Sequence, residues 1–285
     1  MKLVRYGAPG KERPGLIDGS GTLRDLSAEL ADIDGAALDP RTLDMLRGLA
    51  SEKLPAVSGR PRFGPPLGNV GKIIAVGLNY TDHAIEANLP VPTEPTLFMK
   101  STTAIVGPYD DVVLPKNSSK CDWEVELAIV IGREARYVDE EKAFDHVAGY
   151  MICNDVTERA HQFERQGQWV KGKSADTFCP LGPWLVTRDE VPDPQTLGLR
   201  LEVNGEQMQN GSTSKMVFGV RHIVSYISQF MTLRPGDVIP TGTPAGVGMG
   251  KKPQRWLKPG DLMTLAVDGL GEQRQRCVAW GKVKA

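Results

Sequence analysis

Short apolar runs recur along most of the chain, and this pattern predicts a protein built mainly from β-strands. Runs of strand length cover residues 72–77, 112–115, 125–131 and 147–153. They are rich in valine and isoleucine, residues that favour strands, and turn-forming residues separate them. We therefore predict an α+β chain that is mainly β.

The pattern before residue 60 is different and predicts smaller elements. Two short apolar segments at 3–6 and 15–17, followed by an Asp-Gly-Ser-Gly turn at 18–21, predict a small antiparallel meander. Asp39 and Pro40 form an N-cap and first-turn proline pair, and leucines then recur at helical spacing, so a short helix is predicted there.

A segment rich in glycine and proline lies between these two regions. Residues 58–66 contain residues that interrupt regular structure, which indicates a linker. We predict a small N-terminal domain with its linker over residues 1–66 and a larger second domain over residues 67–285.

Composition excludes several classes of partner. The chain has 34 Lys+Arg and 35 Asp+Glu, a net charge of -1, so no excess of positive charge favours nucleic acid or anionic lipid. No apolar run approaches the roughly 20 residues needed to cross a bilayer. The four cysteines lie in or beside apolar runs without CxxC spacing, which predicts reduced, buried thiols. We expect a cytoplasmic protein whose partners are small molecules and copies of itself.

Two carboxylates at strand spacing are the first candidate site. Side chains alternate along a strand, so Glu124 and Glu126 lie on one face of the run that continues to residue 131. Two adjacent buried anions require a counter-charge or a bound proton. The alternative interpretation is an edge strand whose glutamates face solvent and pair with a lysine across the sheet.

A third acid follows the next apolar run. Asp155 comes directly after the strand predicted at 147–153, where a strand leaving a sheet presents a side chain at its end. Three carboxylates without clustered His or Cys form an oxygen site of the kind that Mg²⁺, Mn²⁺ or Ca²⁺ prefers. Glu124, Glu126 and Asp155 are therefore the candidate metal ligands.

Three further segments carry candidate chemistry. His83 and Glu86 lie three residues apart on a short helix that Thr81 or Asp82 would cap, an arrangement that suits a general base; an exposed contact of no consequence is the alternative. The stretch 171–177 could bind an anionic substrate, but its composition alone favours a solvated loop. The glycine-rich run 241–248 lacks phosphate-loop spacing and predicts a tight loop whose backbone amides face a carboxylate.

These segments, taken in order, resemble the fumarylacetoacetate hydrolase superfamily over residues 70–270. The matching phrases are Gly-Leu-Asn-Tyr-Thr-Asp-His at 77–83, Asp-Trp-Glu-Val-Glu at 122–126, Asn154–Asp155, Gly-Lys-Ser-Ala-Asp-Thr at 172–177, Pro-Gly-Asp-Val-Ile at 235–239 and Thr-Gly-Thr-Pro-Ala-Gly-Val-Gly at 241–248. The resemblance implies a mixed β-sandwich roll behind a small N-terminal domain, and a homodimer.

The resemblance also implies roles for single residues. It makes Glu124, Glu126 and Asp155 the ligands of Mg²⁺ or Mn²⁺, with Ca²⁺ as a substitute. It makes His83, oriented by Glu86, the general base and Lys173 the active-site lysine. Gln162, Gly242 and Thr243 match substrate-side positions. The longer members carry a fourth acidic ligand upstream of the histidine; the region of Asn79 and Tyr80 offers none, so three protein ligands and water are expected.

The implied activity is cleavage of a C–C bond in a small 2,4-dioxo acid, which releases pyruvate or a related 2-oxo acid. The sequences of these motifs resemble those of a bacterial branch of the superfamily, whose members are named ureidoglycolate lyase or 2,4-diketo-3-deoxy-L-rhamnonate hydrolase. Decarboxylation and isomerisation at the same site are further alternatives. A non-catalytic small-acid binding module is another class, and retention of His83, Glu86 and Lys173 argues against it.

Overall fold

The computed structural model describes residues 1–281, which contain seventeen β-strands and five α-helices. The strands are β1 (Lys2–Tyr6), β2 (Arg13–Ile17), β3 (Leu23–Asp25), β4 (Ile73–Gly77), β5 (Thr96–Lys100), β6 (Ile105–Val106), β7 (Val112–Leu114), β8 (Cys121–Asp122), β9 (Val125–Ile131), β10 (Val147–Asn154), β11 (Thr157–Glu158), β12 (Cys179–Thr187), β13 (Gly198–Val203), β14 (Glu206–Ser212), β15 (Val238–Pro240), β16 (Leu262–Val267) and β17 (Gly271–Ala279). The α-helices are α1 (Pro40–Arg47), α2 (Thr81–Glu86), α3 (Arg159–Phe163), α4 (Val170–Lys173) and α5 (Val220–Ser228).

A ten-stranded mixed sheet forms the body of the fold. Its order is β3-β2-β1-β12-β10-β9-β15-β4-β5, with β6 also paired to β12. A five-stranded sheet, β14-β13-β16-β17-β7, contacts β9, β10 and β12, and a two-stranded sheet joins β8 to β11. This mainly β, mixed architecture confirms the predicted fold class.

The apolar runs occupy the centre of the large sheet. Every residue of β9 and β10 is buried, because other elements cover both faces of these strands. β9 lies between β10 and β15 and is therefore an interior strand. The alternative interpretation of Glu124 and Glu126 as solvent-facing residues of an edge strand is wrong for this reason.

The elements predicted near the N-terminus are confirmed. β1, β2 and β3 form an antiparallel meander, and the side chain of Asp39 accepts a hydrogen bond from the Arg41 amide at the start of α1. β1 also pairs with β12, so the first segment of the chain supplies three strands to the large sheet. The domain boundary at residue 66 stays a prediction.

Helix α2 begins as expected but is capped differently. Its N-cap is Tyr80, whose side chain makes no capping hydrogen bond, so the predicted cap by Thr81 or Asp82 is wrong. The carboxylate of Asp82 instead accepts a hydrogen bond from the His83 amide inside the first turn. The helix still places His83 and Glu86 one turn apart.

The cysteines lie in the interior of the fold. All four cysteines are free and buried; Cys153 and Cys179 approach to 3.7 Å between their sulfur atoms without a disulfide. Across residues 1–281, no helix has both the length and the apolar character to cross a bilayer.

Candidate active site

Strand register brings three acids together. β9 and β10 are antiparallel with Val125 opposite Asn154, and the Asp155 amide donates to the Glu124 carbonyl at 2.9 Å. Opposed residues in such a pair lie close enough for their side chains to meet. One carboxylate oxygen each from Glu124, Glu126 and Asp155 lies within 4.8 Å of the other two, and all three side chains are buried.

Buried cations surround two of these acids. Lys173 Nζ lies 2.7 Å from Glu124 Oε2 and 2.6 Å from Asp155 Oδ2. Lys100 Nζ lies 2.5 Å from Asp155 Oδ1, and Arg159 Nη2 lies 2.6 Å from Glu124 Oε1. All three cationic side chains are buried, so the low-polarity surroundings strengthen each pair.

The pKa values of Glu124 and Glu126 shift in opposite directions. Burial favours the neutral form of Glu124, but Lys173 and Arg159 outweigh it and lower the pKa of Glu124 to about 2. Burial, followed by repulsion from Asp155 and Glu124, raises the pKa of Glu126 well above its ordinary value. Glu126 accepts a hydrogen bond from the neutral Gly242 amide at 2.8 Å.

This donor set fits a hard divalent cation. Carboxylate oxygens are the ligands that Mg²⁺, Mn²⁺ and Ca²⁺ prefer, and three of them converge here. Glu124 and Asp155 contact buried cations, whereas Glu126 accepts its hydrogen bond from the neutral Gly242 amide. A bound dication would supply positive charge at Glu126, and Glu124, Glu126 and Asp155 would hold it.

A histidine and a carboxylate lie beside the cluster. His83 Nδ1 is 3.2 Å from Glu86 Oε2, and His83 is 6% exposed, so the alternative of an exposed surface pair is wrong. Glu86 Oε1 accepts a hydrogen bond from the Gly246 amide at 2.9 Å, which holds the carboxylate in place. The contact orients the imidazole and favours a proton on Nδ1.

The glycine-rich loop after β15 confirms the prediction made for it. Its backbone amides face carboxylates: Gly242 donates to Glu126, Gly246 to Glu86, and Gly248 and Met249 to Asp122. This loop therefore holds three carboxylates in place. They are Glu126, a candidate metal ligand; Glu86, the partner of His83; and Asp122, which binds Arg159.

Gly250 gives a direct test of Glu86. A Cβ at position 250 would lie 2.2 Å from Glu86 Cδ, so Gly250→Ala must displace the carboxylate from His83. We expect kcat to fall by about 10- to 100-fold, because a displaced partner no longer orients the base. Steady-state kinetics, with the Kd for Mn²⁺ measured in parallel, check this expectation.

Gly19→Ala is the matched control, since an added Cβ there meets no atom within 4 Å. Equal activity of the two variants would show that Glu86 does not act through its position.

The remaining sequence-derived candidates line one cavity of about 490 Å³, a volume that includes space open to solvent. His83, Gln162, Lys173, Gly242 and Thr243 all line it, together with Glu124 and Glu126. Gln162 Oε1 accepts a hydrogen bond from Arg159 Nη1 at 3.1 Å. Thr243 Oγ1 donates to the Val125 carbonyl at 2.9 Å, and the Gly242 amide is taken by Glu126. Asp155 is buried behind this surface.

Composition alone favoured a solvated loop for residues 171–177, and this is wrong for Lys173. Helix α4 turns its side chain into the acidic cluster, where it is 1% exposed. The ion pairs with Glu124 and Asp155 offset the cost of burying the ammonium group, and they raise its pKa despite burial.

Sequence reasoning did not identify Lys100, Arg159 or Asp122. Arg159 Nε donates to Asp122 Oδ2 at 2.9 Å across 37 residues of chain, and Lys100 reaches Asp155 across 55. The signals available were weak: a lysine that ends an apolar strand, and an arginine four residues after a candidate ligand. Both patterns are common on protein surfaces.

Comparison with known proteins gives consistent matches over nearly the whole chain. Residues 72–278 match the family model described as fumarylacetoacetate (FAA) hydrolase, C-terminal. A Burkholderia cenocepacia protein that carries only a provisional hydrolase name is 57% identical over 276 residues, 96% of this chain and 98% of that protein.

Two solved structures are similar throughout. Maleylpyruvate hydrolase from Sphingobium sp. SYK-6, in complex with manganese(II) and pyruvate, is 32% identical with a TM-score of 0.81, and the match covers 98% of this chain and 99% of that one. The 2-hydroxyhepta-2,4-diene-1,7-dioate isomerase from Mycobacterium marinum is 37% identical with a TM-score of 0.75, covering 99% and 100%.

Proposed function

This chain belongs to the fumarylacetoacetate hydrolase family, and on that premise we propose that it is a Mg²⁺- or Mn²⁺-dependent hydrolase. The substrate is a small 2,4-dioxo acid of the acylpyruvate type, and the reaction cleaves its C–C bond to release pyruvate or a related 2-oxo acid. The observation that carries the proposal is one cavity lined by Glu124 and Glu126 of the three-carboxylate cluster and by His83, whose Nδ1 contacts Glu86.

The chain's own residues suit this reaction. His83 holds a proton on Nδ1 against Glu86, so Nε2 accepts a proton from water as that water adds to the distal carbonyl. The bond between C3 and C4 then breaks, which gives a carboxylic acid and the enolate of pyruvate; a proton on C3 completes pyruvate. When bound, the divalent cation supplies a Lewis acid beside the oxygens of the 2-oxo acid.

Lys173 and Gln162 are assigned to the pyruvate end of the substrate. Both line the cavity next to Glu124, where negative charge develops as the enolate forms. Lys173 stays protonated because Asp155 and Glu124 raise its pKa, so it stabilises negative charge and does not serve as a base.

The experiment follows the enol absorbance of an acylpyruvate. We expect this absorbance to fall at least about tenfold faster with Mn²⁺ than in the same mixture with EDTA. EDTA removes the metal, and the reaction then lacks its Lewis acid. Formation of one pyruvate per substrate, measured with lactate dehydrogenase and NADH, identifies hydrolysis. Full activity after exhaustive chelation would contradict the proposal.

Isomerisation is the second candidate, and the similarity to a protein named as a diene-dioate isomerase favours it. An isomerase would change the absorbance of the substrate without forming pyruvate. A panel that also contains oxaloacetate, a diketo-deoxy sugar acid and ureidoglycolate separates hydrolysis from decarboxylation and from the lyase reaction. The homodimer stays a prediction from the resemblance, and the cytoplasmic location stays a prediction from the composition of the chain.

A further inference from the structure

The cavity has two chemically distinct parts. Its polar part, which we call the floor, consists of Glu124, Glu126, His83, Arg159 and Lys173. Its other side, which we call the apolar wall, consists of Leu78, Leu89, Phe98, Phe163, Trp169 and Met249. A 2-oxo acid whose carboxylate and ketone lie on the floor would extend its acyl substituent along this wall.

Aromatic contacts connect the wall to the floor. Lys173 Nζ lies 5.0 Å from the ring centroid of Phe98, and the Phe98 ring lies 5.3 Å from that of Trp169. The Phe163 ring meets Trp169 edge-on at 5.8 Å. The wall therefore begins beside the candidate lysine and continues through three rings in contact.

Trp169 is held closely by the backbone. A Cβ at position 77 would lie 2.5 Å from Trp169 Cζ3, so Gly77, at the end of β4, gives the indole room to pack against the strand. The position of the Trp169 indole at the cavity therefore depends on a glycine at position 77.

The cationic side chains that line the cavity already contact carboxylates. Among the described residues that line it, the lysine and arginine side chains are Lys173 and Arg159, and both contact Glu124. Arg159 also binds Asp122 and Gln162, and Lys173 also binds Asp155. Both cations therefore lie against the carboxylates of the floor, and the apolar wall contains no cationic side chain.

The wall itself offers little to a polar group. The indole N–H of Trp169 is the one N–H donor among its side chains. A carboxylate placed there would lose its hydration without an opposite charge, and a polyol would lose several hydrogen bonds for one. A propyl or phenyl group would instead remove apolar surface from water.

From this arrangement we propose that the substrate is a 2,4-dioxo acid with a short, uncharged apolar or aromatic acyl group. The aromatic wall, with Phe163 at its exposed end, sets this selectivity against a second carboxylate and against a polyol chain. The inference rests on the proposed function and names the substrate class for the same site.

The decisive comparison uses two substrates of equal length. Butanoylpyruvate and succinylpyruvate have seven carbons each and differ in a terminal methyl or carboxylate. We expect kcat/KM with Mn²⁺ to be at least about tenfold higher for butanoylpyruvate, the smallest ratio that burial of an unpaired carboxylate predicts. Equal or faster cleavage of succinylpyruvate overturns this inference alone, whereas cleavage of neither contradicts the proposed function.

A binding measurement tests the wall without turnover. Calorimetry on the Mn²⁺-loaded protein compares 2-oxohexanoate with 2-oxoadipate, a pair that again differs in one terminal carboxylate and has no 4-oxo group to cleave. Tighter binding of 2-oxohexanoate supports the inference. A preference for 2-oxoadipate, or binding of neither, overturns it.

A matched pair of variants assigns the selectivity to the wall. Phe163 lines the cavity and is 45% exposed, so Phe163→Arg introduces a cation there at small cost to the core. It should reduce the preference for butanoylpyruvate by at least about tenfold, because the new charge pairs with the second carboxylate. Phe230→Arg, at a 63% exposed position that does not line the cavity, is the control. Equal effects of the two variants would overturn the assignment.

Discussion

Replacement of His83 by alanine is expected to lower kcat by about a thousandfold, within the range usual for loss of a general base. The imidazole lines the cavity, and Glu86 holds its Nδ1 at 3.2 Å. His83 is absent from the group of carboxylates that could hold a metal, so the Kd for Mn²⁺ should be essentially unchanged. Stopped assays of pyruvate formation and a Mn²⁺ titration measure the two quantities on one preparation.

His222 provides an internal control for this variant. Its Nδ1 also lies 3.2 Å from a glutamate, Glu140, but the pair is exposed and does not line the cavity. His222→Ala should retain full activity. A His83→Ala protein that is as active as His222→Ala would remove His83 from the reaction, and loss of Mn²⁺ binding in His83→Ala would mean that the substitution disturbed the acids.

Two ligand variants should lose the metal equally but differ in stability. Glu126→Gln and Asp155→Asn are each expected to weaken Mn²⁺ binding by at least about a hundredfold, more than loss of a residue that merely supports a ligand. In the metal-free protein, Asp155→Asn leaves the buried Lys100 and Lys173 without a shared partner. Breaking such buried pairs costs about 3–5 kcal/mol of unfolding free energy.

Glu126→Gln should not destabilise the metal-free protein. The pKa of Glu126 is raised in the folded state, so its ionisation opposes folding once the pH exceeds the ordinary pKa of a glutamate. At neutral pH the neutral glutamine removes that opposition, and the unfolding midpoint should stay the same or rise. Added Mn²⁺ should raise the midpoint of the unmodified protein and of neither variant.

Thermal unfolding with and without Mn²⁺ checks both halves of this contrast. A Glu126→Gln protein that kept its Mn²⁺ affinity would exclude Glu126 as a ligand. Equal losses of metal-free stability in the two variants would show that the lysines do not depend on Asp155.

Much of the site was visible in local sequence patterns. Alternation along one strand predicted that Glu124 and Glu126 share a face, and Asp155 was placed at the end of the next strand. Helical spacing predicted the contact between His83 and Glu86. These predictions succeeded because the backbone geometry of strands and helices fixes the positions of residues two to four apart, whatever the rest of the fold does.

The sequence by itself therefore determined the mainly β class, the two strands that contain or adjoin the acids, and the face on which each pair lies. Only the tertiary structure decided that Lys100, Arg159 and Lys173 are buried against those acids, and that Glu126 accepts its hydrogen bond from the neutral Gly242 amide. Such contacts join residues far apart in the chain. They depend on how strands pair and sheets pack, which local spacing does not encode.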